Sequence, residues 1–199
     1  MVEEEEYKNS TDRNLVEFAK NILTGNRKNA TQKQYTIGSV SSNAAIDIKN
    51  LTGIDVSNFN HIIDGGHIWH IDKRHGKHGD ADQSIKEPED IGRVKYVLDN
   101  YDNIQLLSAQ NFQFKNSDYT PSKMIRYEKR VNGNYYVIEA VTDVKNKKLR
   151  VVSLYKSKAE NDAKMAETYH DRNYPTVNVQ NESAANNIQN SQLNDTSSF

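Results

Sequence analysis

Five of the chain's six histidines, His61, His67, His70, His75 and His78, fall between positions 61 and 78. Imidazole titrates near pH 6.5, so such a cluster is suited to proton transfer at neutral pH. His67 and His70 are three apart and share a face if the segment is helical. His75 is followed by Gly76, which lets backbone come close to whatever His75 touches. Three readings are open: ordinary core and surface histidines, a zinc site built from His67 and His70 with His75 or His78, or an acid/base pair. The zinc reading departs from the helical metalloprotease pattern, which spaces its histidines four apart and sets a glutamate beside the first; here Ile68 and Trp69 follow His67. Trp69 itself either stacks on a base or anchors the core.

Charge narrows the choice of partner. The net charge is −1, from 26 basic and 27 acidic residues among 199, which is poor equipment for a nucleic-acid binder. The distribution is uneven, however. Between Phe112 and Lys158 there are Lys115, Lys123, Arg126, Lys129, Arg130, Lys145, Lys147, Lys148, Arg150, Lys156 and Lys158, against only Asp118, Glu128, Glu139 and Asp143. That stretch either attracts phosphates or keeps strand edges soluble. The absence of cysteine excludes disulfides, thiolate catalysis and cysteine-based zinc sites. No apolar run approaches the ~20 residues of a membrane span, and the start lacks a basic-then-apolar signal pattern. The expected setting is therefore the host cytoplasm or a target cell reached by another route.

The elements that must position the histidines follow from period and caps. Residues 11–24 form an amphipathic helix capped by Thr11 or Asp12, with Leu15, Val16, Phe18, Ala19, Ile22 and Leu23 on its apolar stripe. Lys28 to Thr36 reads as polar connector. A second helix runs from a Ser41/Ser42 cap to Gly53. Asn60 to Asp64 reads as a strand, the segment from His67 to Gly76 as one or two helical turns, and Pro88 as the first turn of a helix reaching Leu98. Strands follow: Ile104 to Leu107, Met124 to Arg130, Tyr135 to Thr142 and Leu149 to Lys156. Asn132-Gly133 marks a tight hairpin between the second and third of these. Helices first and strands later give an α+β fold, a helical N-terminal half packed on a three- to four-stranded antiparallel sheet. Residues 1–10 are expected to be a disordered acidic start, 11–170 a single domain with a last helix ending near His170, and 171–199 a disordered polar tail.

A two-residue Asn132-Gly133 loop sets Arg130 opposite Tyr135 and hence Arg126 opposite Glu139, with Tyr127–Ile138 and Ile125–Ala140 on the other face. A cationic and an anionic side chain face to face there can hold a phosphate or shuttle a proton, or form a plain cross-strand ion pair. An odd-length turn at Lys145–Lys147 puts Ser153 beside Glu139, and an even one turns it away.

Several fragments, in order, resemble the phage-associated barnase/EndoU/colicin/RelE-like nuclease domains. They are Leu51-Thr52-Gly53-Ile54-Asp55, His70-Ile-Asp-Lys-Arg-His75-Gly76, Glu89-Asp90-Ile91, Asp102-Asn103-Ile104, Tyr136-Val-Ile-Glu139 and Ser153-Leu-Tyr155-Lys156, spanning roughly 37–158. The resemblance implies RNA bound over one sheet face and cut without metal or other cofactor by attack of a 2′-hydroxyl on the adjacent phosphate. It picks out His70 and His75 as the proton-transfer pair; Arg126, from the hairpin register, or a lysine of the basic stretch would stabilise the phosphate, with Glu139 and Ser153 assisting. Tyr127, Tyr155, Lys156 and Trp69 are the expected substrate contacts. RNA is the expected partner, with an immunity or inhibitor protein as a second, in a toxin-like effector of a phage or mobile element. The alternatives on the same residues are an inactive RNA- or protein-binding module and a metal-dependent hydrolase.

Overall fold

The computed structural model describes residues 2–107 and 123–158. Among them, a six-stranded mixed sheet in the order β1-β2-β6-β5-β4-β3 carries the helices packed against one of its faces. The fold is α+β as expected, but with more strands than the three or four the sequence implied.

The hairpin β4 (Met124–Val131) and β5 (Asn134–Asp143) forms where Asn-Gly predicts it. Asn132 (φ 51) and Gly133 (φ 73) both adopt the left-handed conformation that such a two-residue turn requires. Arg130 pairs with Tyr135, Tyr127 with Ile138 and Arg126 with Glu139. β6 (Lys148–Lys158) adds antiparallel to β5, and β3 (Asn103–Leu107) to β4. β2 (Asn60–Asp64) lies parallel to β6 but pairs only with Lys148 to Val151.

The sheet is extended by β1 (Gln34–Ser39), antiparallel to β2, in a segment that reads as connector. It is an edge strand that buries only Ile37, and its register slips between Thr36 and Gly38, so its sequence shows no apolar alternation. Just before it, Arg27–Ala30 form the short α3. Another difference lies at the acidic start. Val2–Asn9 are helical (α1), and Tyr7 is buried against Tyr96 and Tyr136, with ring centroids at 5.6 and 4.9 Å, beneath the Arg93 guanidinium. One aromatic anchor thus docks a turn of glutamates that looks solvated by composition.

α2 (Arg13–Thr24) is capped by Asp12, whose carboxylate accepts from the Asn14 and Leu15 amides. α4 (Ser42–Thr52) has Ser41 as its cap and ends at Gly53, at φ 75. The helix expected from Pro88 is two, α6 (Pro88–Gly92) and α7 (Val94–Asp99), broken at Arg93. Gly92 presses against α2 there: its carbonyl accepts from Asp12, and a Cβ on it would stand 2.5 Å from Val16.

The histidine segment makes a longer helix than expected, α5 (Gly65–His75). Its first residue must be glycine, since a Cβ on Gly65 would fall 2.1 Å from the Ala30 carbonyl. Ile68 and Ile71 bury into the core with Leu15, Ala19, Ile22 and Ile48 and the sheet residues Ile63, Tyr127, Ile138, Ala140, Val151 and Leu154. The last helix expected after Ser157 and the polar tail lie outside the described residues, apart from the strand continuing to Lys158.

His61 is a core residue, 1% exposed, with Nε2 3.2 Å from the Tyr127 hydroxyl. Burial, with the nearby Lys95 charge, pushes its pKa down to about 3. The folded protein therefore holds it neutral, while the unfolded chain protonates it below about pH 6.5. Its contribution to stability is complete above that pH and declines as pH falls toward 3. Denaturant titrations should show His61→Gln flattening this part of the stability profile, and NMR should show the His61 ring uncharged at pH 5.

Candidate active site

The sheet face turned away from the helices carries a run of polar rungs. In its centre Arg126 Nη2 donates to Glu139 Oε1 at 2.8 Å, and both side chains are under 8% exposed. Glu139 lies opposite Ser153 on β6, itself 7% exposed. This placement depends on a bulge. The β5–β6 loop spans the four residues Val144–Lys147, an even turn that by itself would send Ser153 to the core face. The register shifts between Glu139 and Ala140, which pairs with Val151, so Val152 is the extra residue and Ser153 is brought round beside Glu139.

Further polar groups flank the Arg126–Glu139 pair around a small apolar cluster of Met124, Val141 and Val152. Arg150 donates to Asp64 through Nη1 and to Asp143 through Nη2, the latter at 3.2 Å. Gln105 and Asn103 donate to Glu128 at 2.9 and 3.0 Å. Burial works against the charge on Asp64, but the His67 ring 3.6 Å away, a hydrogen bond from Gln34 and the Arg150 guanidinium overcome it and hold the carboxyl at about 2. Asp143 is likewise held below the usual carboxylate range: burial opposes ionisation and Asn146 and Arg150 outweigh it.

α5 runs beside the half of β6 that β2 leaves uncovered, and meets this face at both ends. At its start His67 Nδ1 lies 3.6 Å from Asp64. At its end the His75 ring stacks on Tyr155, centroids 5.2 Å apart and planes 29° apart. Tyr155 pairs with Val137 and so shares the face of Ser153. His75 Nδ1 donates to Asp82 at 2.7 Å. Partial burial opposes the Asp82 charge, but hydrogen bonds from Ser84 and His75 keep its carboxyl below the usual range. A carboxylate on Nδ1 fixes the tautomer and leaves Nε2 as the working nitrogen. The loop carrying Asp82 is clamped to the strand: the Lys156 amide donates to Ser84 Oγ at 2.9 Å, and the Ile85 amide to the His75 carbonyl at 2.7 Å.

His75, Tyr155, Ser153, Glu139 and Arg126 are thus brought onto one side of the sheet. His70 is exposed on α5, its pKa lowered by partial desolvation and by His67, His75 and Arg74 nearby. Three expected substrate contacts lie elsewhere. Tyr127 is wholly buried on the core face, because register sets it opposite Ile138. Lys156 alternates to the helical side, where it reaches Asp90 at 2.6 Å and lies over the Tyr136 ring. Trp69 is half-buried against the core, with the Arg27 guanidinium over its ring. Asp82 and Asp64 went unseen in the sequence, where Arg150 figured only as one of the basic stretch; the Asp82-Gln-Ser84 turn is the one local hint.

Among the described residues, no three His, Asp or Glu side chains gather as a metal ion requires. A cavity of about 250 Å³ lies at the start of β3, lined by Asn43, Asp47, Asp99, Tyr101, Asp102 and Asn103 among others. Its carboxylates make it unsuitable for phosphate.

The model of the phage-Barnase-EndoU-ColicinE5/D-RelE like nuclease3 family matches residues 39–165, more than half of the chain, and the chain belongs to that family. No curated protein and no solved structure matches it.

The Arg126–Glu139 pair should reveal itself in stability. Arg126→Met strands a buried carboxylate and should cost about 3–5 kcal/mol in urea unfolding, while Arg126→Met with Glu139→Leu should recover most of that loss.

Proposed function

We propose that this nuclease domain is a metal-independent endoribonuclease acting by 2′-hydroxyl transesterification. The observation that carries the proposal is the His75 ring stacked on Tyr155, two residues along β6 from Ser153 and on the same face. That contact ties a carboxylate-oriented imidazole to a row holding an arginine, a glutamate and a hydroxyl.

RNA enters at the edge of the outer sheet face, where the His75 and Tyr155 rings are partly exposed, with its scissile phosphate next to the Glu139–Ser153 rung. Arg126, desolvated and fixed by Glu139, offsets the charge that builds on the pentavalent phosphorus, and the Ser153 hydroxyl donates to a phosphate oxygen. The O2′ oxygen bonds to phosphorus as its proton leaves to a base, and the phosphorus–O5′ bond breaks. O5′ then takes a proton from His75 Nε2, giving a 2′,3′-cyclic phosphate and a 5′-hydroxyl end. The base is a second imidazole of α5, His70 in the sequence reading. Lys73, Arg74 and Lys77 at the end of α5 are exposed beside His75 and guide the backbone. A domain of this kind acts as a toxin-like effector whose producer holds it in check with an immunity or inhibitor protein.

Purified protein should cut RNA in excess EDTA and leave cyclic phosphate ends. His75→Ala should slow cutting by about 10²–10⁴-fold. Cleavage that stops with chelator would point to metal-dependent hydrolysis, and salt-sensitive retention of RNA without cutting would point to a binding module.

A further inference from the structure

We infer that Lys156 and Asp90 are positioning residues for His75: their ion pair, on the helical side of the sheet, seats the loop whose Asp82 carboxylate holds the imidazole at Nδ1. The kinetic consequence rests on the ribonuclease proposal above; the structural one rests on hydrogen bonds alone.

Asp82 holds a ring in place only if it is held itself. Its side chain is 40% exposed. The Ser84 amide donates to its Oδ1 at 2.9 Å, which fixes the shape of the turn but not where the turn sits. That placement has to come from other elements.

It runs through Lys156. The Lys156 amide donates to Ser84 Oγ at 2.9 Å. Its ammonium reaches Asp90 Oδ1 at 2.6 Å and lies 5.1 Å from the centre of the Tyr136 ring. Asp90, only 6% exposed, turns its other oxygen back to the loop and accepts from the Lys86 and Glu87 amides at 3.2 and 3.5 Å. Between these anchors Ile85 is buried, and its amide donates to the His75 carbonyl at 2.7 Å. Ser84, Ile85, Lys86 and Glu87 are therefore tied in turn to β6, to α5 and to α6. Asp82 stands two residues before the first tie.

The neighbour of Lys156 completes the frame. Tyr155 points to the outer face, where the His75 ring stacks on it, and Lys156 points to the helical face. Adjacent residues of one strand thus define the seat of the imidazole. Tyr155 meets its flat side directly, and Lys156 fixes its Nδ1 side through Asp90 and the loop. A hydrogen bond of 2.7 Å from Nδ1 to Asp82 tolerates little movement of that loop. A shift of about 1 Å would free the ring to change tautomer and cost about 100-fold in a reaction that depends on Nε2.

The test uses Lys156→Met, which keeps the stem and removes the charge, with Lys156→Arg and Asp82→Asn beside it. In Lys156→Met the Arg93 guanidinium, 3.4 Å from Asp90, remains as a counter-charge. Multiple-bond proton–nitrogen NMR at about pH 8.5, above the ordinary imidazole range, reads the His75 tautomer. Wild type and Lys156→Arg should carry the proton on Nδ1, and Lys156→Met and Asp82→Asn should show both tautomers. In steady-state RNA cleavage with EDTA, Lys156→Met should lower kcat about 10–100-fold with KM little changed, and Lys156→Arg should recover most of it. Lys156→Met combined with Asp82→Asn should cost no more than Asp82→Asn alone, since one path carries both effects. Losses that multiply, or an unchanged His75 tautomer in folded Lys156→Met, overturn the inference. Should Lys156→Met fail to fold, Lys156→Gln, which keeps an uncharged donor toward Asp90, takes its place under the same readouts. A wild-type protein that cuts no RNA overturns the ribonuclease proposal, and the tautomer measurement still decides the positioning role.

Discussion

The extra residue in β6 is the constraint on which the site depends. Side chains alternate along a strand, so a four-residue β5–β6 loop by itself would bury Ser153 and Tyr155 among the helices. One unpaired position, Val152, reverses the sense of everything after it. Ser153 joins Glu139, Tyr155 comes within stacking range of His75, and Leu154 turns to the core. A strand that is apolar over most of its length, Leu149 to Leu154, thus serves two purposes without a change in composition. Bulges commonly re-aim side chains near reactive sites.

The Arg126–Glu139 pair adds a second constraint of a different kind. Two charges removed from water repay little in stability, since their desolvation roughly cancels their attraction. They are better understood as a preorganised dipole, fixed before any substrate arrives. The neighbouring Asp64–Arg150–Asp143 bridge repeats the pattern and joins three segments, the end of β2, the end of β5 and the start of β6. Charge pairs lock this face together with a small apolar cluster of Met124, Val141 and Val152, whereas the opposite face is held by the main core.

Much of this was legible from residues alone, because local rules govern it. Asn132-Gly133 dictated a turn, the turn dictated register, and register put Arg126 opposite Glu139. Ser41, Asp12 and Gly53 marked helix ends through their own hydrogen bonds and dihedrals. What stayed hidden depends on distant partners. β1 has no alternation because it is an edge strand held by β2, and α1 is held by Tyr7 against rings some ninety or more positions away in the chain. The bulge has no signature, since Val151 and Val152 are equally at home in a regular strand. The carboxylate that orients His75 and the one near His67 fall in a charged loop and a strand end, where aspartate is unremarkable by composition.

β2 is short, and that has a consequence for the molecule's solubility. Among the described residues no strand pairs with β6 beyond Val151 on that side; α5 lies along it and Ser84 accepts from the Lys156 amide where a carbonyl would otherwise stand. An uncovered strand edge is a template for pairing with other chains. The histidine helix is therefore also a guard against self-association, so damage that loosens it would surface as aggregation as well as lost chemistry.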